Sequence, residues 1–184
     1  MKKEKKLIKI TNALLKLIKC PRYLHKFGPK TYEFKDHFTA LAVKFFCRLS
    51  YRRTAYFCRL VGIKCPSKSA LQYTANKLDA KFWNNVLRAT SGNPEIVALD
   101  STGFSRVNPS YHYLKRIDGG IPKIPVKLSC TFDTRKRKFC AAKVRILPCH
   151  DIKDAEQLLA KSKPRVLVAD KGYDANSLHE YCLE

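Results

Sequence analysis

No CxxC pair occurs in this chain of 184 residues, although it holds eight cysteines. Their positions (20, 47, 58, 65, 130, 140, 149 and 182) argue against a zinc ribbon and a thioredoxin-type redox site. Cys149 and His150 are adjacent rather than spaced for chelation, and read as non-ligating. Cys47, Cys58 and Cys130 fall within apolar periodic segments and read as small core residues. The pattern suits a reducing cytosol. Long hydrophobic runs are missing too. Met1-Lys2-Lys3 has the charge of a signal peptide's start, but Lys9, Lys16 and Lys19 break the apolar stretch that should follow. No window reaches the length of a membrane span. The expectation is a cytoplasmic protein with no membrane partner. Seven Gly and nine Pro are too few for wholesale disorder, and 45% apolar content is enough for a core. No internal repeat or low-complexity tract occurs.

Acid is also scarce, and unevenly so. Residues 1–90 hold 21 Lys and Arg against 4 Asp and Glu, whereas residues 91–184 hold 16 against 11. The net charge of +22 is therefore concentrated in the first half. An excess that large repels itself without a polyanionic partner, which points to nucleic acid. A ribosomal or membrane-surface role would explain the charge alone equally well.

The chain reads as two regions, 1–92 and 93–184. In the first, Ile8, Leu14, Leu15, Leu17 and Ile18 suit a short basic amphipathic helix. After a break at Pro21 to Pro29, Thr31 is placed to cap a helix carrying Phe34, Phe38, Leu41, Ala42, Phe45 and Leu49. Ser50 can cap a second, Tyr51 to Val61, stopped by Gly62. Ser67 or Ser69 can start a third, with Ala70, Leu71, Thr74 and Leu78 turned inward. Three short helices with a Gly turn resemble a helix-turn-helix arrangement. Arg48, Arg52, Arg53 and Arg59 alternate with Tyr51 and Tyr56 and are suited to phosphate. Lys68, Gln72, Asn76 and Lys77 would face outward on the third helix. Gln and Asn can read adenine edges, although for these four residues singly an ordinary polar face is the better explanation.

From Asn93 the periodicity changes. Glu95 to Ser101, Lys127 to Asp133, Phe139 to Leu147 and Arg165 to Asp170 read as strands. The second and third form a hairpin across the charged turn 134–138. Asp151 is placed to cap a helix through Leu159, and Asp174 a last helix to Glu184. Pro109, Gly119, Gly120, Pro122 and Pro125 leave no helix in residues 103–126. The fold class is α/β. The order β-β-β-α-β-α is consistent with an incomplete ribonuclease-H-like mixed sheet, in which the first and fourth strands lie parallel.

Two segments share one plan. Ile96-Val97-Ala98-Leu99-Asp100 and Val166-Leu167-Val168-Ala169-Asp170 each run as a short apolar strand into an aspartate. Each is followed by a Gly-containing turn. Two carboxylates brought to one sheet edge repel unless a divalent cation sits between them. That is how a Mg²⁺ site for phosphoryl transfer is built. Taken singly, each is better explained as a strand-end turn or capping aspartate.

At these residues the chain resembles the N-terminal part of insertion-sequence transposases with a DDE catalytic domain. The resemblance spans residues 31–184. It rests on Leu99-Asp100-Ser101-Thr102-Gly103-Phe104, Tyr111 to Arg116, Lys127-Leu128, Asp133-Thr134, His150-Asp151 and, most specifically, Val168-Ala169-Asp170-Lys171-Gly172-Tyr173-Asp174. Leu49 to Arg53 with Pro66 to Ala70 adds the helical region upstream. The resemblance implies two Mg²⁺ (or Mn²⁺) ions held by Asp, Asp and Glu, with Asp100 and Asp170 as the two aspartates. It implies double-stranded DNA at transposon ends as the partner, and leaves a homodimer on DNA open. Arg48, Arg52, Arg53, Arg59, Lys68, Arg106, Lys115, Arg116, Lys171 and Tyr173 are the expected DNA contacts. His112 and His150 are left structural. The family's third acidic residue, a Glu on a Tyr-Arg-Glu-Lys helix, has no match, since Glu180 and Glu184 come too early. The chain is therefore expected to be part of a longer protein, truncated before that residue and inactive alone. A competing expectation is a DNA-binding repressor without catalysis, indifferent to loss of Asp100.

Overall fold

The computed structural model describes residues 2–27, 30–104, 126–146 and 149–183. The chain divides into two compact units, Met1–Ala89 and Thr90–Glu184. The loop expected within 103–126 falls almost entirely outside the described residues.

The first unit holds α1 (Lys2–Leu17), α2 (Phe34–Phe46), α3 (Tyr51–Leu60), α4 (Lys68–Lys77) and most of α5 (Ala80–Ser91). Ser50 caps α3 and Ser67 caps α4, each Oγ accepting a backbone N–H three residues on at 3.3 Å. The cap of α2 is Glu33, not Thr31. Its N–H donates to Asp36 Oδ2 at 3.0 Å, a capping-box contact that Thr31 stands too far upstream to make. α2 ends at Phe46, so Leu49 lies beyond it. Arg48 there turns the chain with φ +52°. Ala40, Leu41, Val43, Cys58, Ile63 and Leu71 form one core. Leu15, Phe34 and Phe38 form another, against which Phe82, Trp83 and Val86 of α5 pack. α5 has no counterpart among the expected helices. Its signal was nonetheless present: Asp79 Oδ1 accepts the Phe82 N–H at 2.7 Å, ahead of apolar residues at helical spacing.

The second unit is a four-stranded mixed sheet with helices. Its elements are β1 (Ile96–Phe104), β2 (Val126–Asp133), β3 (Lys138–Arg145), α6 (Ile152–Ser162), β4 (Val166–Ala169), a 3₁₀ turn (Lys171–Tyr173) and α7 (Asn176–Leu183). The strand order is β3-β2-β1-β4. β2 and β3 form the expected hairpin. Asp133 closes its turn by accepting the Arg135 and Lys136 N–H groups at 2.9 and 2.8 Å. β1 runs parallel to β4 and antiparallel to β2.

Alternation along the strands separates two faces. Leu99, Ala141, Ala155, Leu158, Leu159, Tyr173 and Leu178 form the core on the face that α6 and α7 cover. Beneath α6, the fully buried Asp154 accepts from Arg145 Nε (2.6 Å) and Ser129 Oγ (3.1 Å), and Lys143 Nζ stands 2.9 Å away. The opposite face carries Val144, Val166 and Val168, which are 62%, 44% and 52% exposed. β4 is thus half-covered rather than the buried strand its apolar run implied. Three further expectations change. β1 does not turn after Asp100 but continues to Phe104, pairing Thr102, Gly103 and Phe104 with β2. Asp174 does not cap α7, which starts at Asn176; its Oδ1 lies 2.9 Å from His179 Nε2. Of the cysteines read as core, only Cys58 is buried; Cys47 is exposed and Cys130 is intermediate. Among the described residues no helix is long and apolar enough to cross a membrane.

Candidate functional site

Parallel pairing sets the geometry of the two aspartates. Ile96, Val97, Ala98 and Leu99 stand beside Val166, Leu167, Val168 and Ala169 in unbroken register. Asp100 and Asp170 follow on their respective strands. Asp170 keeps an extended backbone (φ −75°, ψ 173°), so it prolongs the line of β4 beside Asp100. Adjacent parallel strands lie about 4.8 Å apart. Alternation along β1 places the Asp100 side chain with Ala98, on the face opposite Leu99. Both aspartates are exposed.

Each carboxylate is steadied by one backbone donor. Asp100 Oδ1 accepts the Ser101 N–H at 2.7 Å. Asp170 Oδ1 accepts the Gly172 N–H at 3.0 Å. A Cβ at Gly172 would stand 3.1 Å from that oxygen, so a side chain there would press on the carboxylate. Neither aspartate has a cationic partner among the described residues. Two such carboxylates fit a hard divalent cation that keeps several waters. Among the described residues no group of three His, Cys, Asp or Glu is arranged to hold a metal. Cys130 stands across from Asp100 on β2, and burial, then the Asp100 charge, pushes its thiol up, which disfavours the thiolate a metal would need.

Behind the aspartates, on the α6 side, lies a polar cluster that sequence reasoning missed. Asp151 was expected to cap α6, but its backbone is already helical and its side chain makes no cap hydrogen bond. Oδ1 instead accepts from Ser101 Oγ at 2.6 Å and forms an ion pair with Lys127 Nζ. Lys127 also donates to the Cys149 carbonyl at 2.5 Å. The Lys127 ammonium and the Ser101 hydroxyl hold the Asp151 carboxyl below the usual carboxylate range. Tyr173 was an expected DNA contact, yet it is 3% exposed and belongs to the core with Leu99. Its hydroxyl is buried near Ser101 and has no hydrogen-bond partner among the described residues. Burial, then the charges of Asp151, Asp100 and Asp170, push it up to about 12.

The other expected contacts divide. Lys171, next to Asp170, is exposed. In the first unit, Arg48, Arg52, Arg53, Arg59 and Lys68 are all exposed. No carboxylate among the described residues pairs with them. On α3, Thr54 and Cys58 face the core. Arg52, Tyr56 and Arg59 therefore line the opposite ridge. Tyr51 is half-buried, and Lys44 Nζ stands 4.7 Å from its ring centre. On α4, Lys68, Gln72, Asn76 and Lys77 all face outward. Arg106, Lys115 and Arg116 lie outside the described residues.

Residues 91–184, half of the chain, match the family model for the transposase DDE domain. No curated protein and no solved structure matches the chain.

Proposed function

The chain belongs to the transposase DDE domain family, and we propose that it binds double-stranded DNA at transposon ends and holds Mg²⁺, or Mn²⁺, between Asp100 and Asp170. The parallel register of β1 with β4, which sets Leu99 beside Ala169 immediately before the two aspartates, supports the reading. When bound there, divalent cations supply the Lewis acidity that activates an attacking water or 3′-hydroxyl and stabilises the leaving oxygen. The protein's own part is to hold ionised carboxylates on strand positions with little freedom. A ribonuclease-H-like core accounts for the strand order and for the single parallel pair. The first unit serves as a basic, helix-turn-helix-like DNA-binding region. In it, Arg52 and Arg59 grip phosphate while Tyr56 packs against backbone or base. Lys171 adds a cation beside the metal pair.

No third carboxylate joins Asp100 and Asp170 among the described residues. On this reading strand transfer needs a further carboxylate beside these two. The same observation favours a second reading, a DNA-binding repressor derived from a transposase. The two part on divalent metal. Fluorescence anisotropy with a labelled duplex, at graded salt and with or without Mg²⁺, tests both. The first reading expects steeply salt-dependent binding and Mg²⁺ binding that Asp100→Ala removes. The second expects the same DNA binding with no role for Asp100. Absence of duplex binding at low salt would defeat both.

A further inference from the structure

Asp151 is the acidic residue near the metal pair that already has strong partners of its own. Lys127 neutralises it, so it is a poor metal ligand. Its contacts form a continuous line towards Asp100. Lys127 Nζ is tied to the Cys149 carbonyl and to Asp151 Oδ1. Ser101 Oγ donates to the same Oδ1 at 2.6 Å. The Ser101 N–H donates to Asp100 Oδ1 at 2.7 Å.

We propose that Ser101 and Asp151 are positioning residues for Asp100: the bracket Lys127–Asp151–Ser101 fixes the peptide whose N–H orients the Asp100 carboxylate. The inference rests on the metal reading above and adds to it the groups behind the ligand. Ser101 is the residue that links the two faces of β1. Its backbone serves Asp100 on the open face, and its side chain reaches Asp151 on the α6 face. Asp100 is exposed, so solvent rather than close packing surrounds much of its side chain. The N–H of residue 101 restrains it instead, and a strand peptide free to tilt would loosen that restraint. Anchoring Ser101 to the start of α6, and through Lys127 to β2, removes the freedom. Partners behind metal ligands act in this way, and their loss typically costs ten- to a hundredfold in metal affinity. The Lys127 charge has a second effect. It offsets the Asp151 anion, which would otherwise add to the repulsion between Asp100 and Asp170.

Mn²⁺ titration of the full chain, followed by the EPR signal of the free ion, tests the inference without requiring turnover. Asp100→Ala defines the site. Ser101→Ala and Asp151→Asn are expected to weaken Mn²⁺ binding about tenfold while Tm moves by only a few degrees. Ser101→Thr, which keeps the hydroxyl, should restore affinity. Restoration by Thr separates positioning from simple packing, because a merely structural bracket would alter Tm and not metal affinity. If Asp151→Asn fails to fold, the Ser101 pair carries the test alone. Unchanged Mn²⁺ affinity in Ser101→Ala, with binding still dependent on Asp100, overturns this inference and leaves the metal reading intact. Absence of any Asp100-dependent Mn²⁺ site overturns both.

Discussion

Asp100 stands beside Asp170 because Leu99 stands beside Ala169. One further residue along each strand direction brings the two aspartates to neighbouring positions. That relationship depends on strand register, since a one-residue slip of β4 would move Asp170 out of line with Asp100. Leu167 holds the register by packing against the core while Val166 and Val168 face outward.

Gly172→Ala tests how closely Asp170 is held. The added Cβ would stand 3.1 Å from Oδ1, so the carboxylate must shift. Mn²⁺ affinity should fall by up to about tenfold with circular dichroism unchanged. Unaltered affinity would show that the Gly172 N–H does not set the ligand's position.

Arg52→Ala and Arg59→Ala should each weaken duplex binding regardless of sequence. Each should also lower the salt slope by about one ion. Anisotropy titrations at several salt concentrations check this. Loss of affinity with an unchanged slope would mean that neither guanidinium meets phosphate.

Asp154 makes the second unit sensitive to acid. Burial pushes this carboxyl up, but Arg145, Lys143 and Ser129 outweigh it and bring it down to about 2. An unfolded aspartate titrates near about 3.9. The stabilisation, about 2 kcal/mol, is therefore present above pH ~4 and fades as pH falls towards ~2. Urea midpoints of the wild type and Asp154→Asn should differ at neutral pH and converge in that window. A constant difference across it would contradict the assignment.

Leu158→Ala removes a fully buried side chain from the same core. It should cost about 2–5 kcal/mol, since the site cannot fully collapse. Denaturant unfolding at neutral pH measures this. A loss under about 1 kcal/mol would place Leu158 in a looser environment than its burial indicates.

Much of this architecture could be read from the chain, for identifiable reasons. The apolar runs leading into Asp100 and Asp170 are short, and each is followed by a glycine within three residues. The hairpin has a charged turn between two such runs. Ser50 and Ser67 cap helices through purely local contacts. What escaped is what partners at long range decide. Asp151 has the local chemistry of a cap, but Ser101, fifty positions earlier, takes its carboxylate. Tyr173 sits in a polar Lys-Gly-Tyr-Asp stretch that reads as exposed, yet the 3₁₀ turn carries its ring into the core with Leu99. β1 passes its aspartate because β2 continues to pair with it through Phe104, and no pattern within 101–104 signals that. α5 was legible from Asp79, Phe82, Trp83 and Val86, and was overlooked.

The central claim is that two residues seventy positions apart serve one ion, and Mn²⁺ EPR of Asp100→Ala, Asp170→Ala and the double variant tests it most directly. The account predicts that either single change removes the same site and that the double change removes nothing more. A site that survives in either single variant, or two sites lost separately, would contradict it.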